Sequence, residues 1–170
     1  MAINRLNHAV LYVRDADRTA QFFVDMLGFR RIDGMQVPGG AFLRAEGSTN
    51  DHDLGLFSVG EQAAASPAGR GAVGLYHLAW EVDTLADLAR YAGALAKTGA
   101  LVGSTNHGTT RSLYVKDPDG LEFELVWIVP AALLGPDDKP ALDPLDLVAD
   151  IARFGADTLG GVGISRLAPA

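Results

Sequence analysis

The chain carries one short pattern twice. Residues 5–13 read Arg-Leu-Asn-His-Ala-Val-Leu-Tyr-Val and residues 74–82 read Gly-Leu-Tyr-His-Leu-Ala-Trp-Glu-Val, so both fit Leu-x-His-x-x-x-x-Val. Such a duplication implies two modules that need each other to bury their apolar faces. A chain of 170 residues with only 4 histidines has set His8 and His77 at equivalent points of the repeat. Equivalent points of two paired modules meet across a pseudo-two-fold axis, so the repeat predicts that His8 and His77 share one ligand.

Strand parity sets which side chains face that ligand. Alternation over 5–13 predicts a strand with His8, Val10 and Tyr12 on one side and Ala9, Leu11 and Val13 on the other. Asp15 or Asp17 can cap a helix over 16–27, with Ala20, Phe23 and Leu27 as its apolar stripe and Gly28 as its stop. Strands over 29–33, 40–45 and 52–59 follow, separated by turn residues. After a linker over 61–73 the pattern returns. It gives a strand over 74–82, a helix over 84–98 ending at Gly99, and strands over 101–105, 110–117 and 121–128.

The expected fold is therefore α+β: two paired βαβββ modules, 1–60 and 74–128, forming a cupped mixed sheet. The helices cover the faces of Leu11 and Val13 or of Trp80 and Val82, and both histidines point into the cup. Residues 129–170 form a C-terminal extension outside the repeat. There Asp143-Pro144 reads as N-cap plus first helical residue of a helix ending at Gly155. That helix packs on its own domain or on a dimer partner.

Composition removes several function classes. With Cys 0, thiolate catalysis, thiolate metal ligation and disulfides are excluded. A net charge of −7 argues against nucleic-acid binding. No apolar run approaches the roughly 20 residues that span a bilayer, and the N-terminus lacks the apolar core of a signal peptide. The reading is a cytoplasmic protein with no membrane partner and a small-molecule substrate.

A third ligand comes from a late hairpin. Asp117-Pro118-Asp119-Gly120 is a turn with Gly suited to a left-handed position, which pairs Asp117 with Leu121 and hence Tyr114 with Glu124. Opposed residues share a face with Cβ atoms about 4.5–5.5 Å apart. Glu124 is then a carboxylate among large apolar neighbours, a position whose desolvation a cation relieves. His8, His77 and Glu124 make a facial triad with open positions, suited to Fe(II), then Mn(II). Zn(II) also uses two histidines and a glutamate.

With this triad on a βαβββ duplication, residues 3–128 resemble the vicinal oxygen chelate superfamily of glyoxalases, fosfomycin-resistance enzymes, epimerases and type I extradiol dioxygenases. The segment from His107-Gly108 through Tyr114 and the Asp-Pro-Asp-Gly turn to Glu124 resembles the extradiol signature in particular. The resemblance implies Fe(II) on His8, His77 and Glu124, with an aromatic diol and O2 as substrates and ring cleavage beside the diol. It also implies acid/base work by His52, contacts to substrate oxygens by His107 and Tyr114, and a homodimer. Two other readings stand beside it: a metal-dependent lyase or transferase of glyoxalase or fosfomycin-resistance type, and a metal-free binding protein of the drug-sequestering kind. The first usually carries a fourth protein ligand, and at the counterpart of Glu124 the chain offers only Leu54, Gly55 or Leu56.

Overall fold

A computed structural model of the chain describes residues 3, 5–34, 37–136 and 138–161, and both repeat helices are capped as their sequences dictate. Asp15 accepts a hydrogen bond from the Arg18 backbone N–H, and Thr84 does the same for Asp87. Gly28 and Gly99 end these helices in the left-handed region, at φ 71° and 74°, where a side chain would be strained. The chain divides into two compact units. One comprises Met1–Ser66 with Asp117–Leu121, the other Pro67–Lys116 with Glu122–Ala170.

The first unit contains β1 (Ala9–Val13), α1 (Ala16–Leu27), β2 (Arg30–Arg31), β3 (Gly40–Arg44) and β4 (Leu54–Ser58). Its four-stranded sheet runs β1-β4-β3-β2, with β1 parallel to β4 and the other pairs antiparallel. The second unit repeats this with β5 (His77–Glu81), α2 (Leu85–Thr98), β6 (Leu101–Asn106), β7 (Thr110–Lys116) and β8 (Glu122–Ile128), in the order β5-β8-β7-β6. The βαβββ duplication and the α+β class are thus as expected, each module holding its own mixed sheet. Among the described residues no helix is long and apolar enough to cross a membrane.

Burial follows the parity argument. On β1, Val13 is buried and Leu11 partly so, while Val10 and Tyr12 on the histidine side are 52% and 77% exposed. Phe23 and Leu27 of α1 are buried with Leu43, Leu54 and Leu56 of the sheet that α1 packs against. In the second unit Leu88 and Leu95 of α2 join Leu113, Val115, Phe123 and Leu125 in the core.

Four expected boundaries move. The β1 ladder begins at Ala9↔Leu54, so His8 and His52 lie just ahead of their strands rather than within them. The cause is Asp53, whose carboxylate accepts from Ala45 N, Ser48 Oγ and Asn50 Nδ2 and ties the preceding loop into a turn. Likewise β5 begins at His77, and residues 74–76 stay outside the ladder. The tail helix α3 (Leu147–Phe154) starts later than Pro144. Its N-cap is Asp146, which accepts from Ala149 N. Asp143 does not cap it: its carbonyl, which a cap gives to the first helical turn, accepts instead from Asn106 N at 2.9 Å.

The late turn forms as read. Asp117 N donates to Leu121 O at 3.0 Å, and Gly120 takes φ 83°. Within the first unit, Asp119 of this turn accepts from the backbone and guanidinium of Arg14 and from Arg18. The buried Asp117 carboxylate accepts from Asp119 N and Leu121 N through Oδ1, while Oδ2 has no partner among the described residues. Burial pushes its pKa up despite those backbone hydrogen bonds. A carboxyl with a raised folded-state pKa adds stability below its unfolded pKa, and that increment disappears as pH rises through the folded value. Asp117→Asn keeps the accepting oxygen and removes the titration. Its unfolding free energy relative to wild type is therefore expected to rise from acid to neutral pH, checked by denaturant titration across that range.

The extension packs on the second unit, one of its two expected placements. Phe154 of α3 lies on Trp127, with ring centroids 5.6 Å apart, and Trp127 Nε1 donates to Thr158 O at 3.1 Å. Beside them the Arg111 Nε lies 2.7 Å from Asp150 Oδ2, both side chains buried.

Candidate active site

In the second unit four of the expected residues come together. His77 opens β5, and the register puts Ala79 beside Glu124 and Tyr114 directly opposite it. His77 Nε2 lies 3.1 Å from Glu124 Oε2, and Glu124 is only 9% exposed. The Tyr114 ring sits 5.8 Å from that of His77, and its hydroxyl lies 2.8 Å from His107 Nε2. Burial, then the adjacent Glu124 carboxylate, pushes the Tyr114 phenol above its usual range, since each disfavours the phenolate. Glu81, further along the same face of β5, is exposed.

His8 and His52 form a second cluster, in the first unit, with ring centroids 4.4 Å apart. Phe42 stands edge-on to His52 at 5.3 Å, and His52 Nδ1 lies 3.2 Å from an Asp51 carboxylate oxygen. The His52 backbone N–H and imidazole hold the Asp51 carboxyl below its ordinary range. His8 itself is exposed, with Nδ1 2.8 Å from Asn7 Oδ1.

The two registers show how the duplication has diverged. Where the second unit sets Ala79 and Tyr114 beside Glu124, the first sets Val10 and Phe42 beside Gly55. The counterpart of the acid is thus a glycine, and a Cβ there would press on the Phe42 ring and Val10 at 3.4 Å. A fourth carboxylate ligand at this position is absent. Among the described residues no three His, Asp or Glu side chains stand together as a ready set of metal ligands. The second unit offers a cation one imidazole and one carboxylate already adjacent. In addition, His77 Nδ1 is buried with no hydrogen-bond partner among the described residues. An imidazole nitrogen beside a carboxylate oxygen is a donor set that suits a divalent first-row metal.

Some organising residues gave no sequence signal. Asp53 reads as one of several loop acids. The buried Arg111–Asp150 pair joins residues far apart in the chain, and the Ala141 backbone that meets His107 belongs to the extension. Arg111 itself gave no hint, as the second residue of a strand that also carries Thr110, Ser112 and Lys116.

The family model described as Glyoxalase/Bleomycin resistance protein/Dioxygenase superfamily matches residues 5–125. The chain belongs to this superfamily. Relatives within it differ in chemistry. A biphenyl-2,3-diol 1,2-dioxygenase of Rhodococcus globerulus is 33% identical over 71% of this chain and 62% of its own length. A probable lactoylglutathione lyase of Synechocystis is 29% identical over 71% of this chain and 93% of its own. A solved glyoxalase/dioxygenase from Nostoc punctiforme shares the superfamily fold at a TM-score of 0.59 and 23% identity, over 72% of this chain and 89% of its own. The chain spans less than two thirds of the length of these relatives named as dioxygenases.

Proposed function

We propose that this superfamily member is a non-haem Fe(II)-dependent extradiol dioxygenase that opens an aromatic diol with O2. His8, His77 and Glu124 would hold the metal, with His52, His107 and Tyr114 around the substrate. The observation that carries this reading is the cluster of His77, Glu124, Tyr114 and His107 within one unit. The equivalent positions of His8 and His77 in the sequence repeat support the shared ion, as does the likeness to enzymes named as diol dioxygenases.

A bound Fe(II) would supply Lewis acidity toward the diol oxygens and one-electron chemistry with O2. The chain's own groups do the rest. Glu124 contributes negative charge from a nearly dry position, so its pairing with a cation is strong. Both diol protons must leave at neutral pH, and imidazole is the side chain suited to take one there. Asp51 lies against His52 Nδ1, so Nε2 is the atom we assign to receive that proton. Tyr114 hydrogen-bonds a substrate oxygen with His107 Nε2 set behind its hydroxyl, and the rings of Phe42 and Tyr76 flank the imidazoles of His52 and His77. A homodimer belongs to the same reading and is checked by sedimentation.

The test is direct. After anaerobic reconstitution with Fe(II), adding a catechol in air is expected to produce the yellow of a ring-fission product. No colour with a panel of catechols, together with turnover of a hemithioacetal, would instead establish the lyase reading that the Synechocystis relative represents. Gly55 at the counterpart of Glu124 speaks against a site of four protein ligands.

A further inference from the structure

We propose that residues 139–143, beyond the segment that the family model matches, act as a positioning strap that sets the ring tautomer of His107. The strap extends the edge of the second unit's sheet. Asp143 exchanges backbone hydrogen bonds with Asn106, and Ala141 N donates to His107 O at 3.1 Å. Its near end is anchored by a two-pronged ion pair from Arg153 of α3 to Asp138, at 2.7 and 2.9 Å. Thus held, the Ala141 carbonyl lies 3.2 Å from His107 Nδ1.

A carbonyl oxygen only accepts, so Nδ1 carries the proton. In a neutral imidazole Nε2 then has a lone pair, and it lies 2.8 Å from the Tyr114 hydroxyl. His107 Nε2 therefore accepts a hydrogen bond from the Tyr114 hydroxyl instead of donating one to it. The Tyr114 oxygen is left free to accept a hydrogen bond from whatever hydroxyl binds beside it. A free histidine side chain favours the opposite tautomer, with the proton on Nε2, so something must hold His107 in this one. Tyr114 can donate or accept and imposes neither form. The Ala141 carbonyl imposes one. Gly108 permits the close approach: at φ 78° it has no Cβ, and one built there would collide with the Lys139 carbonyl oxygen.

Long-range proton–nitrogen correlation spectra of the histidine rings in the ¹⁵N-labelled protein test this. His107 is assigned by the signal lost in His107→Gln. The expected result is the Nδ1–H form in the wild type, kept in Tyr114→Phe, and replaced by the Nε2–H form in Gly108→Ala, where the strap is pushed away. An Nε2–H ring in the wild type, a switch in Tyr114→Phe, or no switch in folded Gly108→Ala would each overturn the proposal. Should Gly108→Ala not fold, the wild-type and Tyr114→Phe spectra decide alone. None of these readouts requires metal or turnover, so a failed dioxygenase assay leaves the inference standing, and the reverse also holds.

Discussion

His77→Ala is expected to abolish tight Fe(II) binding, whereas His52→Ala should retain the metal and lose about 10²–10⁴-fold in kcat, the usual contribution of a general acid or base. The contrast follows from what each imidazole touches. His77 stands 3.1 Å from a buried carboxylate, so a cation between or beside them answers the desolvation of both. His52 neighbours a solvent-facing Asp51, the edge of Phe42 and the His8 ring at 4.4 Å, so it sits beside a proposed ligand with its own Nδ1 turned to Asp51. Metal content per chain and single-turnover rates measured on the two variants separate the roles. Equal metal loss in both would make His52 a ligand and undo the assignment. Glu124→Gln is expected to behave like His77→Ala, since a neutral amide cannot balance the ion.

Asp150→Ala is expected to destabilise the protein by about 3–5 kcal/mol, because it strands the buried Arg111 guanidinium. Arg111 is 1% exposed and Asp150 6%, so water cannot take the missing partner's place. Two of the other Arg111 contacts are carbonyls, Gly108 O at 2.8 Å and Thr110 O at 3.2 Å, which solvate the charge without neutralising it. The guanidinium also lies over the Phe154 ring at 5.4 Å, so losing the pair loosens α3 from Trp127 as well. For a chain of this size the loss corresponds to a fall in Tm of about 10 °C or more. The double variant Arg111→Met/Asp150→Leu is expected to recover most of it, as apolar replacement of a whole buried pair is often near neutral. Thermal unfolding of the single and double variants checks both statements. Additive losses in the double variant would show that packing, not the charge, is what the site contributes.

The site was legible to different depths. Pairing of Tyr114 with Glu124 followed from a turn whose residues leave little choice of loop length, and the ladder has that register. The acid/base and hydrogen-bonding roles of His52, His107 and Tyr114 came only through resemblance, since a lone histidine on a strand or loop has many uses. The starts of β1 and β4 were misplaced because alternation continues through Leu6 and His52 while the side chain of Asp53 curls the backbone away. A period of two records which side a residue faces but not where the hydrogen bonding begins.

Residue order by itself determined the duplicated βαβββ units, the glycines that end both repeat helices and the hairpin that opposes Tyr114 to Glu124. Each of these depends on side chains a few positions apart, so local spacing is enough to state it. Tertiary structure alone decided that the extension returns to the second unit, that Arg111 meets Asp150, and that a backbone carbonyl from residue 141 sits against His107. Those contacts join segments dozens of residues apart, and one is made by a main-chain atom that every residue type carries. No side-chain pattern can announce such a contact before the chain has folded.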